Sequence, residues 1–326
     1  MEKKFAYFVF PSRKEDIPLP FSWMWKMPET FVHYYIKRKQ PFLFSEVECL
    51  GVSGYKIQLP FLLEEVKRYT QEECCKIIEK AIIQLDQSTV DMVALPEIWK
   101  SWKDFKFKIA KGRTVCLFFI LSAILKIIEI LKKPLQFIEV TLIAGDLKET
   151  DLVMDILYPH VNFFTLIAED KDEFLKKTEE IYADTGLSIN LLQKTYTRQI
   201  EGDIIINLSP EDTSFYFCKK GTIYFDFGGS QEHTKKILLN RRDLCVIDDF
   251  SFYTPREEIS STLCELVWYS QDVSFRRYQT RGYFSRDLSR LLDYKEQKNL
   301  SIRYFYQYGT LIKSIDIQNW YEVNKC

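Results

Sequence analysis

The stretch that decides the fold is VTLIAGDLKETDLVMDIL, residues 140–157. An apolar run ends at Gly145-Asp146, and a segment with helical character follows directly. This strand–turn–helix pattern is typical of the first unit of a nucleotide-binding sheet, in which the helix N-terminus faces phosphate. Such turns are usually rich in glycine, but Lys148 and Glu149 stand where further glycines are expected. The stretch therefore predicts the fold of such a unit more clearly than its ligand.

Short apolar runs continue after this stretch and alternate with amphipathic segments. One such segment, over 171–186, ends at Gly186, a typical helix-terminating residue. The apolar runs are NFFTLIAED (162–170), INLLQKT (189–195), DIIINLSP (203–210), GTIYFDFGG (221–229) and DLCVIDDF (243–250). Short continuous apolar strands separated by helices indicate a parallel sheet that is covered on both faces.

The sequence therefore predicts an α/β protein in three parts. We expect an N-terminal α/β domain of the substrate-binding type over 1–112. A Rossmann-like domain with a parallel sheet and a lead-in helix follows over 113–252, and a C-terminal helical segment over 253–326 packs back on both.

Composition limits the function classes. The 326 residues carry a formal net charge of −1, which argues against nucleic acid as a partner. The most apolar stretch, 115–125, is about half as long as a membrane span requires. The eight cysteines and three histidines are scattered without metal-ligand spacing, so no metal site is predicted. We expect a cytoplasmic protein with reduced cysteines; its oligomeric state does not follow from the sequence.

Candidate binding residues lie where the predicted strands end, because ligands of parallel sheets bind at the carboxyl ends of the strands. An acidic residue after the second strand, Glu169 or Asp170, could bind a ribose hydroxyl and would favour NAD over NADP. The same residues could instead cap the helix that starts at Lys171. The cofactor-binding candidates are Gly145, Asp146, Asp170, Asn207, Ser209, Asp226, Gly228 and Gly229.

The order of several short motifs resembles the long-chain acyl-[acyl-carrier-protein] reductases. More distantly, it is similar to the group of shikimate dehydrogenase and glutamyl-tRNA reductase. The motifs are GYKIQLPFL (54–62), the Gly-Arg-Thr start of an apolar helix (112–114), IEGDIIINLSP (200–210) and IYFDFGGS (223–230). The resemblance implies an NAD(P)-dependent oxidoreductase that reduces an acyl thioester to an aldehyde through a cysteine nucleophile. In TPREEISSTLCELVWYS (254–270), Thr254 and Glu257 predict the N-terminal cap of a helix. Cys264, on that predicted helix, stands at the position that the resemblance assigns to this nucleophile.

Two features leave the function open between an enzyme and a catalytically degenerate binding module. Asp146, Glu149 and Asp151 bring negative charge to the position of the phosphates, and each close like charge costs about 1–4 kcal/mol. Cys264 lies beside the apolar stripe of its predicted helix, so it could be a small buried hydrophobe. NAD or NADP is the expected cofactor if the altered turn still binds one, and there is none if it does not.

An arginine-rich segment, SFRRYQTRGYFSRDLSRLLDY (274–294), is the predicted partner site. Its residues Arg276, Arg277 and Arg281 could bind the phosphates of an acyl thioester or of a carrier protein, because guanidinium groups bind phosphate in a bidentate manner. The alternative is a solvated helix whose arginines pair with Asp287 and Asp293.

Overall fold

The computed structural model describes residues 3–85, 90–99, 107–195, 198–210, 212–254 and 257–324. Its α-helices are α1 (Glu29–Lys39), α2 (Gln71–Ile83), α3 (Arg113–Phe118), α4 (Ile120–Leu131), α5 (Leu147–Leu157), α6 (Asp172–Thr185), α7 (Gln231–Asn240), α8 (Ser261–Gln271), α9 (Val273–Arg281), α10 (Leu288–Gln297) and α11 (Ser314–Asn324). Its strands are β1 (Phe5–Val9), β2 (Leu43–Cys49), β3 (Val52–Gln58), β4 (Met92–Ala94), β5 (Lys108–Ala110), β6 (Glu139–Ile143), β7 (Phe163–Ala168), β8 (Ile189–Gln193), β9 (Ile204–Asn207), β10 (Ile223–Asp226), β11 (Cys245–Ile247), β12 (Asp249–Tyr253), β13 (Glu258–Ser260), β14 (Ser301–Gln307) and β15 (Thr310–Ile312).

The chain forms two compact units. The first contains Met1–Gly112 together with Thr262–Arg276, and the second contains Arg113–Ser261 together with Arg277–Cys326. The chain therefore leaves the first unit at Gly112, returns to it for nearly all of α8 and the first turn of α9, and leaves it again.

The first unit is built on a five-stranded sheet in the order β2-β3-β1-β4-β5. The pairs β1–β3, β1–β4 and β4–β5 are parallel, whereas the edge strand β2 runs antiparallel to β3. Thr70 is the N-cap of helix α2, and its hydroxyl accepts a hydrogen bond from the Glu73 amide at 3.2 Å. Its apolar face contributes to the core that covers β1, β3 and β4, through residues Cys74, Ile77, Ile78, Ala81 and Ile82.

The second unit contains a six-stranded parallel sheet in the order β11-β10-β9-β6-β7-β8. Numbered from β6 and read from the β8 edge, this order is 3-2-1-4-5-6, the arrangement of dinucleotide-binding Rossmann sheets. The central strands β9 and β10 are buried along their whole length, as their continuous apolar runs predict. The predicted α/β fold is confirmed, and Gly186 ends α6 in the left-handed conformation, with φ 77°.

A second sheet of the second unit corrects the prediction of a helical C-terminal segment. Strands β13-β12-β14-β15 form an antiparallel sheet, so the segment 253–326 contains strands as well as helices. Thr254 and Glu257, which the sequence suggests as a helix cap, instead close the turn between β12 and β13. Thr254 N donates to Glu257 O at 2.9 Å, and Glu257 N donates to Thr254 Oγ1 at 3.1 Å. Helix α8 therefore begins only at Ser261, while Pro255 and Arg256 lie outside the described residues.

The apolar stretch 115–125 is divided between α3 and α4 at Phe119. Across the described ranges, no helix is long and apolar enough to cross a membrane.

Candidate functional site

The candidate site is the carboxyl edge of the six-stranded sheet, where the loops after β6, β9 and β10 lie side by side. A Cβ atom placed on Gly145 would lie 2.1 Å from the carbonyl oxygen of Leu208. A Cβ atom on Gly228 would lie 2.2 Å from the carbonyl oxygen of Ser209. Both glycines are therefore required for the three loops to pack on one another, whether or not a ligand is bound.

In the turn between β6 and α5, side chains of the turn and of α5 accept hydrogen bonds from two backbone amides. Asp146 is the N-cap of α5, and its Oδ1 accepts a hydrogen bond from Lys148 N at 3.1 Å. Thr150 Oγ1 accepts from Gly145 N at 3.2 Å and donates to Asp146 O at 2.9 Å. In a nucleotide-binding turn, amides at this position face phosphate oxygens. Here two of them, those of Gly145 and Lys148, donate to side chains of the protein.

A partly buried ion pair reinforces this arrangement. Arg113 Nη2 donates to Glu149 Oε2 at 2.5 Å and to the Leu208 carbonyl at 3.1 Å. Burial raises the pKa of Glu149, and the neighbouring Arg113 guanidinium opposes that rise. The first turn of α5 thus carries the Glu149 carboxylate, and the Arg113 guanidinium beside it is already hydrogen-bonded within the protein. Arg113 stands in the Gly-Arg-Thr motif of the sequence, but nothing in the motif predicted this contact.

The end of β10 carries a fully buried polar network centred on Asp226. Asp226 Oδ1 accepts from Asn207 Nδ2 at 2.9 Å and from Gly229 N at 3.3 Å. Asp226 Oδ2 lies 2.8 Å from His233 Nδ1 and accepts from Thr234 Oγ1 at 3.1 Å. A Cβ atom on Gly229 would lie 2.3 Å from His233 Nδ1, so only glycine fits beside this pair.

His233 is held as the cationic partner in this network. Its Nε2 lies 2.7 Å from the carbonyl oxygen of Asp212, and its Nδ1 faces the Asp226 carboxylate. A carbonyl and a carboxylate only accept hydrogen bonds, so the doubly protonated imidazolium satisfies both contacts. Burial lowers the pKa of His233, but the hydrogen bond and charge of Asp226 outweigh burial, and the net pKa is raised. The predicted ligand residues Asn207 and Asp226 therefore belong to a buried ion pair and its hydrogen bonds.

Lys194 joins the segments that follow three strands, β7, β8 and β9, at the same edge. It follows β8, and its Nζ donates to Ser209 Oγ at 2.8 Å. It also forms ion pairs with Asp212 Oδ1 at 3.1 Å and with Glu169 Oε1 at 3.2 Å. The Lys194 side chain is only 14% exposed, so its ammonium group is largely enclosed by these partners. Ser209 and Glu169 thus both contact a lysine that the sequence analysis did not single out.

Asp170, the ribose candidate, is exposed and contributes to the start of α6. Its Oδ1 accepts a hydrogen bond from Asp172 N at 3.0 Å. This contact matches the helix-capping alternative. The ribose role stays a prediction.

Cys264 lies in the first unit and is fully buried in α8. Burial raises the pKa of its thiol well above the usual range. Nucleophilic cysteines react as thiolates, so this environment disfavours the predicted role of Cys264 in acyl transfer. The remaining site candidates, from Gly145 to Gly229, all belong to the second unit.

The arginines proposed for a partner differ in their surroundings. Arg276 Nη1 donates to the carbonyl oxygens of Tyr269 and Ser270, at 2.9 and 2.8 Å, and so caps the end of α8. Arg277 and Arg281 are exposed. Among the residues that the structure describes, no cluster of three or more histidine, cysteine or acidic side chains could hold a metal ion.

Sequence reasoning missed Arg113, Lys194, Asp212 and His233. Lys194 had a usable signal, since it follows an apolar strand as the other candidates do. Asp212 and His233 follow no strand directly, and their contacts arise from the packing of separate loops.

No protein-family model matches this chain, and no curated protein does. Several solved structures are similar at low identity. L-tryptophan dehydrogenase from Nostoc punctiforme is 11% identical, with 91% of this chain and 89% of that chain covered, at a TM-score of 0.36. A shikimate dehydrogenase in complex with NADP+ is 10% identical, with 90% and 96% covered, at a TM-score of 0.31. A hetero-hexameric glutamate dehydrogenase from Thermus thermophilus is 9% identical, with 99% and 82% covered, at a TM-score of 0.33. At these values no shared family or activity follows, and the α/β fold rests on the chain's own strand order.

Proposed function

We propose that this chain acts in the cytoplasm as a ligand- or partner-binding module, built on a Rossmann-type domain that fills its pyrophosphate position with its own side chains. The observation that supports this is the start of α5. There Asp146 caps the helix, and the half-buried Glu149 pairs with Arg113. Together they occupy the place where a dinucleotide would put its phosphates.

The negative side chains at this turn disfavour the binding of a pyrophosphate there. Two like charges about 4 Å apart near a protein surface repel by roughly 4 kcal/mol. The N-terminus of a helix stabilises an anion by about 0.3–1 kcal/mol at an exposed position. Arg113 offsets the charge of Glu149, and its Nη2 donates to Glu149 and to the Leu208 carbonyl rather than to a phosphate. The repulsion from Asp146 is therefore larger than the attraction of the helix N-terminus.

A second candidate function is an NAD(P)-dependent oxidoreductase. It is favoured by the 3-2-1-4-5-6 strand order of the second unit. The finer form of this candidate reduces an acyl thioester through Cys264, with a carrier protein bound at Arg276, Arg277 and Arg281. That form requires the buried Cys264 thiol to become exposed and ionised.

Calorimetric titration with NADH and NADPH tests the proposal. We expect no binding of micromolar affinity by the unmodified chain. In the double variant Asp146→Ser, Glu149→Gln, the serine keeps a capping oxygen and the glutamine keeps the side-chain size, while both charges are removed. We expect this variant to bind NADH measurably better than the unmodified chain. A matched control, Asp316→Ser with Glu322→Gln, removes two charges from α11 and should behave like the unmodified chain.

Micromolar NADH binding by the unmodified chain would overturn the proposal and favour the oxidoreductase, for which aldehyde formation would then be assayed. If the double variant binds no better than the control, the acidic side chains are not what excludes the cofactor.

A further inference from the structure

A groove in the second unit lies at the sheet edge opposite to the candidate site. Its volume is about 1130 Å³, and it is lined by residues that precede three neighbouring strands. Arg198 precedes β9, Lys220 precedes β10, and Arg242 precedes β11. Ligands of parallel sheets normally bind at the carboxyl ends of the strands. This amino-end groove is therefore a separate feature that the fold alone does not explain.

The groove is strongly positive in an otherwise nearly neutral chain. Its lining includes four basic side chains, Arg198, Lys220, Arg241 and Arg242, and one carboxylate, Asp243. These leave three net positive charges, whereas the whole chain carries −1. The C-terminus of α7 also faces this region and adds only about half a negative charge. The groove therefore attracts anions.

Arg241 gives the groove a rigid floor. Its Nε and Nη2 bind the two oxygens of Asp243 at 2.8 and 2.7 Å. Its Nη1 and Nη2 also donate to the carbonyl oxygens of Phe215 and Cys218, at 2.5 and 2.8 Å. These bonds fix the segment that leads to Lys220, and they neutralise the groove's carboxylate locally. A binding surface held in place in this way loses little conformational entropy when a ligand binds.

We propose that this groove binds a phosphorylated metabolite that presents three or more negative charges. Two of the three remaining cations, Arg198 and Arg242, are arginines, whose planar guanidinium groups match phosphate oxygens in a bidentate manner. Arg198, Lys220 and Arg242 are exposed and available to the ligand. The groove is largely open to solvent, and its volume of about 1130 Å³ leaves room for a metabolite of this class. The site does not depend on the function proposed for the carboxyl edge.

Calorimetric titration with inorganic tripolyphosphate tests this proposal, with citrate and orthophosphate as comparisons. Tripolyphosphate should bind tightest, and its affinity should fall as salt is added. The variant Arg198→Gln, Arg242→Gln should bind it at least about tenfold more weakly, because two charge-assisted contacts are lost. The control Lys235→Gln, Lys236→Gln removes two exposed charges from α7 outside the groove lining and should leave the affinity unchanged.

Three results would overturn the proposal. They are no binding of tripolyphosphate, equal binding of citrate, or equal losses in the groove variant and the control. NADPH also carries phosphates, so the cofactor titrations are repeated with the groove variant. Binding that disappears there belongs to the groove, and binding that persists belongs to the carboxyl edge.

Discussion

Replacing Asp248 by asparagine should stabilise the protein at alkaline pH. Asp248 lies between β11 and β12, and its Oδ2 accepts a hydrogen bond from Tyr308 N at 3.0 Å. Its Oδ1 is buried and accepts no hydrogen bond from the described residues. The neighbouring Thr234 hydroxyl donates to Asp226 instead, at 3.1 Å. Burial, and next the charges of Asp249 and Asp226, raise the pKa of Asp248 from 3.8 to about 7. Asparagine has the same shape and remains neutral.

The size of the effect follows from linkage between protonation and folding. A carboxyl group whose pKa is raised in the folded state binds its proton more tightly there than in the unfolded chain. Stability is therefore lost as the pH rises from about 4 to about 7, and the loss is complete above that range. A shift of about 3 pKa units corresponds to about 4 kcal/mol. We expect Asp248→Asn to recover a large part of this at pH 8 and nearly none at pH 4.

Urea unfolding of the variant and the unmodified chain at both pH values measures this difference. Asp184→Asn makes the same chemical change on the exposed surface of α6 and should unfold like the unmodified chain at both. The difference between variant and parent isolates Asp248, because other titrating groups are common to both. Equal stability of the two proteins at pH 8 would show that Asp248 is already well solvated or well paired, and the reasoning would fail.

Three further predictions concern the carboxyl edge and Cys264. Gly145→Ala should lower the free energy of unfolding by about 1–3 kcal/mol or more, because the added Cβ meets Leu208 O; unchanged urea stability would contradict the close loop packing. Asp226→Asn should destabilise the fold by about 3–5 kcal/mol near pH 6 and by less near pH 9. The pKa of His233 is raised in the folded protein, so its ion pair with Asp226 is complete below the ordinary histidine pKa of about 6.5 and is lost as the pH rises through the raised value. Urea unfolding and NMR titration of the His233 ring check this, and equal losses at both pH values would argue against a cationic His233. Cys264 should resist alkylation in the native protein and react only after unfolding, as peptide mapping by mass spectrometry would show; rapid native labelling would revive its predicted catalytic role.

The sequence predicted the parallel sheet because buried parallel strands have an unambiguous signal. Runs such as 204–207 and 223–226 are apolar on both faces, and both became central strands. The antiparallel sheet was missed because β14 pairs with β12 across about fifty residues, and local periodicity does not reveal such a pairing. Thr254 and Glu257 are compatible with either a helix cap or a tight turn. The structure has the turn, because β12 pairs with β13.

The candidate site was predictable only in part. Strand ends locate Asn207, Ser209 and Asp226, because the carboxyl ends of parallel strands share one edge. Their hydrogen-bond partners come from other segments, as His233 does from α7. The glycines give an ambiguous signal, since close approach of backbone to backbone requires the same residue as close approach of backbone to phosphate.

The discontinuous first unit has a consequence for the order in which the protein can fold during synthesis. Its N-terminal part ends at Gly112, but its remaining part begins at Thr262. At about 5–20 residues per second, the ribosome needs roughly 7–30 s to make the intervening residues 113–261. During that time the six-stranded sheet is synthesised in full, while the first unit waits without α8. The nascent chain therefore exposes an incomplete core for seconds, an interval in which molecular chaperones would be expected to bind it.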